Sequence, residues 1–166
     1  MSKIKGINDV SDMIGIFHTS DTEIKKNIFL DLIKGWMTEE ELSKKYGEEG
    51  KRALFYLEKI KLVESQWITY DNGQRTKSYR AYYDTVQINI TVPIIELPDI
   101  IYIATMNDRE IKKYEEKILK IMGDQKSVFI GDVQTALNVS LTFLKGIIKR
   151  SSILDIKGHN IEKVEA

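Results

Sequence analysis

The stretch 38–83, TEEELSKKYGEEGKRALFYLEKIKLVESQWITYDNGQRTKSYRAYY, constrains the fold more than any other part of the chain. Thr38 can cap a helix whose first turn holds Glu39, Glu40 and Glu41, acids placed favourably for the helix dipole. Leu42 and Tyr46 mark its buried side, and Gly47 stops it. A second helix from about Glu48 carries Leu54, Leu57 and Ile60 at helical spacing. Two runs rich in β-branched and aromatic residues follow, 66–70 and 77–82, separated by a loop containing Asn72-Gly73. Helix, tight turn, helix and β-ribbon is the outline of a winged helix-turn-helix.

The flanking segments extend this outline. Residues 1–20 predict a short helix through Val10, Met13, Ile14 and Phe17 that docks on the body. Ser20-Asp21-Thr22-Glu23 signals another helix start, with Ile24, Ile28, Phe29, Leu32 and Ile33 as its apolar face and Gly35 as its end. Val86, Ile88, Ile90, Val92 and Ile94 alternate with polar residues, which predicts a half-buried strand over 86–95. Pro98 ends it, and 100–103 reads as a second short buried run. From Asn107 or Asp108 the order of the first half recurs. A helix carries Ile111, Tyr114, Ile118, Leu119 and Met122, two shorter helices cover 129–137 and 141–150, and a small hairpin turns near Gly158.

The expected fold is therefore mainly α with small β-ribbons (α+β), two tandem winged helix-turn-helix modules joined by β-strands. The expected division is 1–84, a connector at 85–106 for docking or dimerisation, and a C-terminal module at 107–166.

Glu41-Leu42-Ser43-Lys44-Lys45-Tyr46-Gly47, followed by Leu54, Leu57, Ile60, Lys61, Leu62 and Val63, resembles the ArsR-type family of prokaryotic transcriptional regulators. The layout is also similar to archaeal members with a second C-terminal helix-turn-helix. Asp132-Val133, Ala136-Leu137-Asn138-Val139-Ser140, Leu144 and Ile148-Lys149-Arg150 carry that match. The resemblance implies a recognition helix near 48–62 in the major groove of double-stranded DNA, with Lys51 and Arg52 facing the bases. It also implies a wing at 66–82 setting Arg75, Lys77 and Arg80 near the backbone. In the second module Ser140, Thr142, Lys145, Lys149 and Arg150 are the corresponding exposed candidates. A homodimer would let two such modules read a palindromic site.

Composition narrows the chemistry. The chain has 166 residues, no cysteine and a formal net charge of zero. Thiolate metal sensing is excluded, and DNA contact requires a local basic surface rather than a basic chain. Glu48 and Glu49 open the recognition helix and oppose phosphate, so the wing carries more of the DNA argument than the helix does. Gly50 costs that helix about 1 kcal/mol of propensity against alanine.

Gly47-Glu48-Glu49-Gly50-Lys51 is too short and too acidic for a phosphate loop. His18 and His159 are the only imidazoles, and ordinary histidine roles are expected for both. Trp36 and Trp67 are expected to pack in the core or at a hinge, and Tyr79, Tyr82 and Tyr83 to brace the wing. No nucleophile, base and orienting group stand at readable spacing. The expected protein is a non-enzymatic, cytoplasmic DNA-binding regulator with no cofactor, no metal and no membrane partner. A winged-helix protein-interaction scaffold in a transcription or replication assembly is the rival, and a ligand-responsive sensor with a pocket under the connector strands is a third reading.

Overall fold

A computed structural model describes residues 1–165. In chain order the elements are β1 (Ile4–Ile7), α1 (Val10–Phe17), α2 (Glu23–Lys34), β2 (Met37–Thr38), α3 (Glu39–Tyr46), α4 (Glu48–Lys59), β3 (Val63–Thr69) and β4 (Arg75–Ala81). There follow β5 (Thr85–Ile88), a 3-10 turn at Ile94–Glu96, α5 (Leu97–Thr105), α6 (Asp108–Met122) and β6 (Ser127–Phe129). The chain ends with α7 (Ile130–Leu137), α8 (Leu141–Arg150), β7 (Leu154–Lys157) and β8 (Asn160–Lys163). No helix among the described residues is long and apolar enough to cross a membrane.

Two compact units result. Among the described residues, the first comprises 1–6 and 19–88, the second 7–18 and 89–165. Each contains helix, strand, two helices and a two-stranded ribbon in the same order, and each sheet has the same arrangement, β2-β4-β3 and β6-β8-β7. In both, the last strand lies in the middle and the strand leading into the helix pair lies at an edge. The fold is thus two tandem winged helix-turn-helix modules.

The first unit buries Ile28 and Leu32 from α2, Leu42 from α3, and Ala53, Leu54, Tyr56 and Leu57 from α4, together with Leu62 and Tyr79. Thr38 and Glu41 close a capping box at the start of α3, the threonine hydroxyl accepting from the Glu41 amide at 3.1 Å and the carboxylate accepting from the Thr38 amide at 2.7 Å. Such a cap contributes about 1 kcal/mol. Gly47 then turns the chain with φ 64, a left-handed conformation that favours glycine, and α4 begins at once.

Gly50 explains how closely those two helices approach. A Cβ there would lie 2.6 Å from the Leu42 carbonyl oxygen and 2.9 Å from its carbon, both backbone atoms with little freedom to move. The propensity cost of glycine is the condition for this packing. Gly50→Ala is expected to destabilise the chain by about 1–3 kcal/mol, although an unobstructed helix site would gain roughly 1 kcal/mol from the same change. Chemical denaturation of the two proteins measures the sign, and a more stable alanine variant would mean that α3 and α4 have room between them.

The second unit is built around a continuous core of Val10 and Ile14 from α1, Ile100 and Ile103 from α5, Ile111, Ile118 and Met122 from α6, and Leu144, Ile147 and Ile148 from α8. Three expectations are corrected here. The helix at 10–17 belongs to this unit and not to an N-terminal module spanning 1–84, because Val10 and Ile14 are buried in its core. The strand expected over 86–95 stops at Ile88. The run 100–103 is helical, with Pro98 in the first turn of α5, where a missing amide costs nothing, and Ile100 and Ile103 buried three residues apart on one face. Three strands escaped the sequence reading: β1, which pairs with β5, β2, which pairs with β4, and β6, which pairs with β8 from Ser127↔Glu162 to Phe129↔Asn160.

Candidate nucleic-acid interface

The wing of the first unit is a hairpin in full register from Val63↔Ala81 to Thr69↔Arg75. Its tip is closed by the Gly73 amide donating to the Tyr70 carbonyl at 2.9 Å and the Tyr70 amide donating to the Gln74 carbonyl at 2.8 Å. Side chains alternate across a strand, so Arg75, Lys77 and Tyr79 leave β4 on one face, and Thr76, Ser78 and Arg80 on the other. Tyr79 marks the first face as the one turned towards the helices. Burial, followed by the charges of Glu58 and Glu39, pushes its hydroxyl pKa above the usual value.

The three wing cations therefore do not form one surface. Arg80 donates to Glu64 at 2.7 Å, and its guanidinium stands 4.7 Å from the Trp36 ring centroid. Its hydrogen bond is the main cause that holds the Glu64 carboxyl below its ordinary range, with Lys3 adding charge at 3.5 Å. Arg75 and Lys77, by contrast, have no carboxylate partner among the described residues. Both lie beside Trp67, which is exposed rather than packed in a core or hinge.

On α4, Lys51 and Arg52 are exposed, but each has an acid near it. Lys51 lies 3.9 Å from Glu39 and Arg52 3.1 Å from Glu49. Exposed pairs of this kind are weak, of order 0.2–1 kcal/mol, so phosphate or a base edge can replace the acid at little cost. The helix pair is held on α2 by a firmer contact. Lys45 and Tyr46 both donate to one oxygen of Asp31, at 2.6 and 2.5 Å, and these two hydrogen bonds hold the Asp31 carboxyl below its usual pKa.

The corresponding helix of the second unit is arranged differently. Ser140 caps α8 by accepting from the Phe143 amide, and it donates to Asp99 at 3.3 Å. Thr142 donates to Glu96 at 2.9 Å. Lys145 reaches Asp9 at 3.4 Å, and Lys149 reaches Asp12 at 3.0 Å. Burial alone would raise the Asp9 pKa, but hydrogen bonds from the Ser11 side chain and amide, with the charge of Lys145, outweigh it and lower the value. Four of the five candidates thus face acids supplied by α1 and its cap and by α5 and the 3-10 turn before it.

The fifth, Arg150, was expected at the surface and is buried, 7% exposed. It donates to the Ile103 carbonyl at 2.9 Å, to the Met106 carbonyl, and to Asp108 at 3.2 Å. These carbonyls lie at the end of α5, where the Ile103 carbonyl also accepts from the Met106 amide at 3.3 Å, so the guanidinium caps one helix and ties it to the first turn of the next. Ser151 beside it was also missed. Fully buried, it donates to Glu115 at 2.5 Å and accepts from the amides of Ile153 and Leu154.

A helix pair joined by a glycine turn, a two-stranded ribbon after it and a repeat of the same order together define a winged helix-turn-helix protein. The chain belongs to the ArsR transcriptional regulator family, which it matches over residues 7–165, a span that takes in both units. No curated protein matches it significantly.

Proposed function

We propose that this transcriptional regulator binds double-stranded DNA sequence-specifically through its first unit, as a cytoplasmic homodimer without catalytic activity. Helix α4 enters the major groove, with Lys51 and Arg52 towards the bases, and Arg75 and Lys77 lie on backbone phosphates. The observation that carries this reading is the helix-side face of the wing, where two cations have no carboxylate partner among the described residues, in a chain of zero net charge. The repeated element order supports the archaeal, two-module type of regulator.

The second unit supports association rather than base reading. The polar side of α8 is engaged with Asp9, Asp12, Glu96 and Asp99, whereas α5 turns an uncharged face outward along its whole length: Leu97, Pro98, Ile101, Tyr102 and Thr105. Ile94 and Ile95 just before it are 80% and 84% exposed. Uncharged apolar surface of this kind on a water-soluble unit is characteristic of protein contacts. We assign it to the dimer.

Titration of a DNA duplex at several salt concentrations tests the reading. Binding is expected to weaken steeply as salt rises, since each phosphate neutralised adds about 0.9 to the logarithmic slope. Undetectable binding at low salt would leave the scaffold reading in its place. In sedimentation, the native chain is expected at twice the mass of Ile101→Glu/Tyr102→Glu, and a native monomer would refute the dimer.

A further inference from the structure

Trp67 is 60% exposed although it is one of only two tryptophans in the chain. It pairs across the hairpin with Lys77 and sits diagonally from Arg75. The Lys77 ammonium lies 5.6 Å from its ring centroid and the Arg75 guanidinium carbon 5.5 Å. All three side chains leave the ribbon on the face that Tyr79 turns towards the helices.

This grouping has a specific chemical complement. A large apolar ring left in water forgoes the stabilisation that burial would bring, and the fold does not use it to cover core. The cations beside it call for negative charge, while the ring calls for a flat or apolar surface. A nucleic-acid strand offers both at close spacing, with a phosphate on either side of each sugar and base. An acidic peptide would satisfy the cations and leave the ring without a matching surface. We propose that Trp67 is a nucleic-acid contact: its ring packs on the sugar of one strand, or on a base opened from the stack, between phosphates held by Arg75 and Lys77. The inference rests on the reading that the wing meets DNA, and it adds an uncharged component to an otherwise electrostatic interaction.

The test uses the full chain carrying Trp36→Phe, so that Trp67 is the only indole emitter, titrated with a mixed-sequence duplex at low salt. Binding is expected to quench or shift the Trp67 emission. Trp67→Ala is expected to weaken binding roughly 5- to 50-fold while leaving the salt slope unchanged, because a neutral ring releases no counterions. Trp67→Phe is expected to recover most of the affinity, and melting temperatures should stay within about 2 °C because the site is exposed. If the duplex binds, emission does not change and Trp67→Ala stays within about twofold, the ring only braces the wing and the inference is overturned. A chain that binds no duplex at low salt overturns the DNA reading and this inference together.

Discussion

Arg150→Met is expected to lower the melting temperature by roughly 5–15 °C. The guanidinium is buried and satisfies the carbonyls of Ile103 and Met106 while reaching Asp108. Methionine fills a similar length of apolar space but donates nothing, which leaves the Met106 carbonyl unpaired at the end of α5 and the Ile103 carbonyl with the Met106 amide alone. An unsatisfied buried carbonyl costs about 1–3 kcal/mol, and the lost bond from a charged donor to Ile103 adds to it. Asp108 matters less, because its side chain is 76% exposed and water takes the place of the arginine. A net loss of about 2–4 kcal/mol at 2–4 °C per kcal/mol gives the stated range. Arg150→Lys should recover little, since one ammonium cannot span the fork of acceptors. The control is Lys149→Met, which removes a half-exposed pair with Asp12 and should cost under about 1 kcal/mol. Circular dichroism melts of the three variants decide the matter. A shift under about 2 °C for Arg150→Met would show that the α5 terminus does not depend on this residue.

For DNA binding, the largest effect is expected from reversing charge on one face of the wing. Arg75→Glu/Lys77→Glu should reduce affinity by about 100-fold or more near 0.1 M salt and lower the logarithmic salt slope by roughly 2, one unit for each phosphate no longer neutralised. Arg80→Gln provides the contrast. Its side chain lies on the opposite face in an ion pair with Glu64, so the slope should be unchanged even if stability falls slightly. Equal effects from the two variants would mean that the wing does not meet DNA by the face inferred here.

The separation of these three cations is legible in the amino-acid sequence itself. They lie in one strand at positions 75, 77 and 80, and strict alternation puts the last on the other side. Trp67 can likewise be placed beside Lys77 by counting across the hairpin from Asn72-Gly73. The helix pair and wing were legible because capping residues, helical spacing and a turn dipeptide all agreed over 38–83. Residues 97–105 were not, because a short apolar run after a proline fits a buried strand as well as a helix, and only the partners of Ile100 and Ile103 decide between them. The burial of Arg150 was illegible for a different reason. Its acceptors are backbone carbonyls 44 and 47 positions away, groups that every residue carries and no side-chain pattern announces. Two of the acids facing α8, Asp9 and Asp12, are more distant still, with Asp9 and Lys145 separated by 136 positions.

That separation also sets the order in which the protein can assemble during synthesis. Helix α1 is made before the elements α2 to β5, and its partner α8 after them. At about 5–20 residues per second, roughly 7–27 s pass before Lys145 follows Asp9 out of the peptidyl-transferase centre. Until α5, α6 and α8 have been made, Val10 and Ile14 have no complete core to enter, whereas α2 to β5 of the first unit can already close on themselves. The nascent chain thus holds an apolar N-terminal helix in waiting while its first module folds. The step that completes the second module is a late closure over nearly the whole chain, slow by its topology and exposed to capture by other apolar surfaces until it occurs.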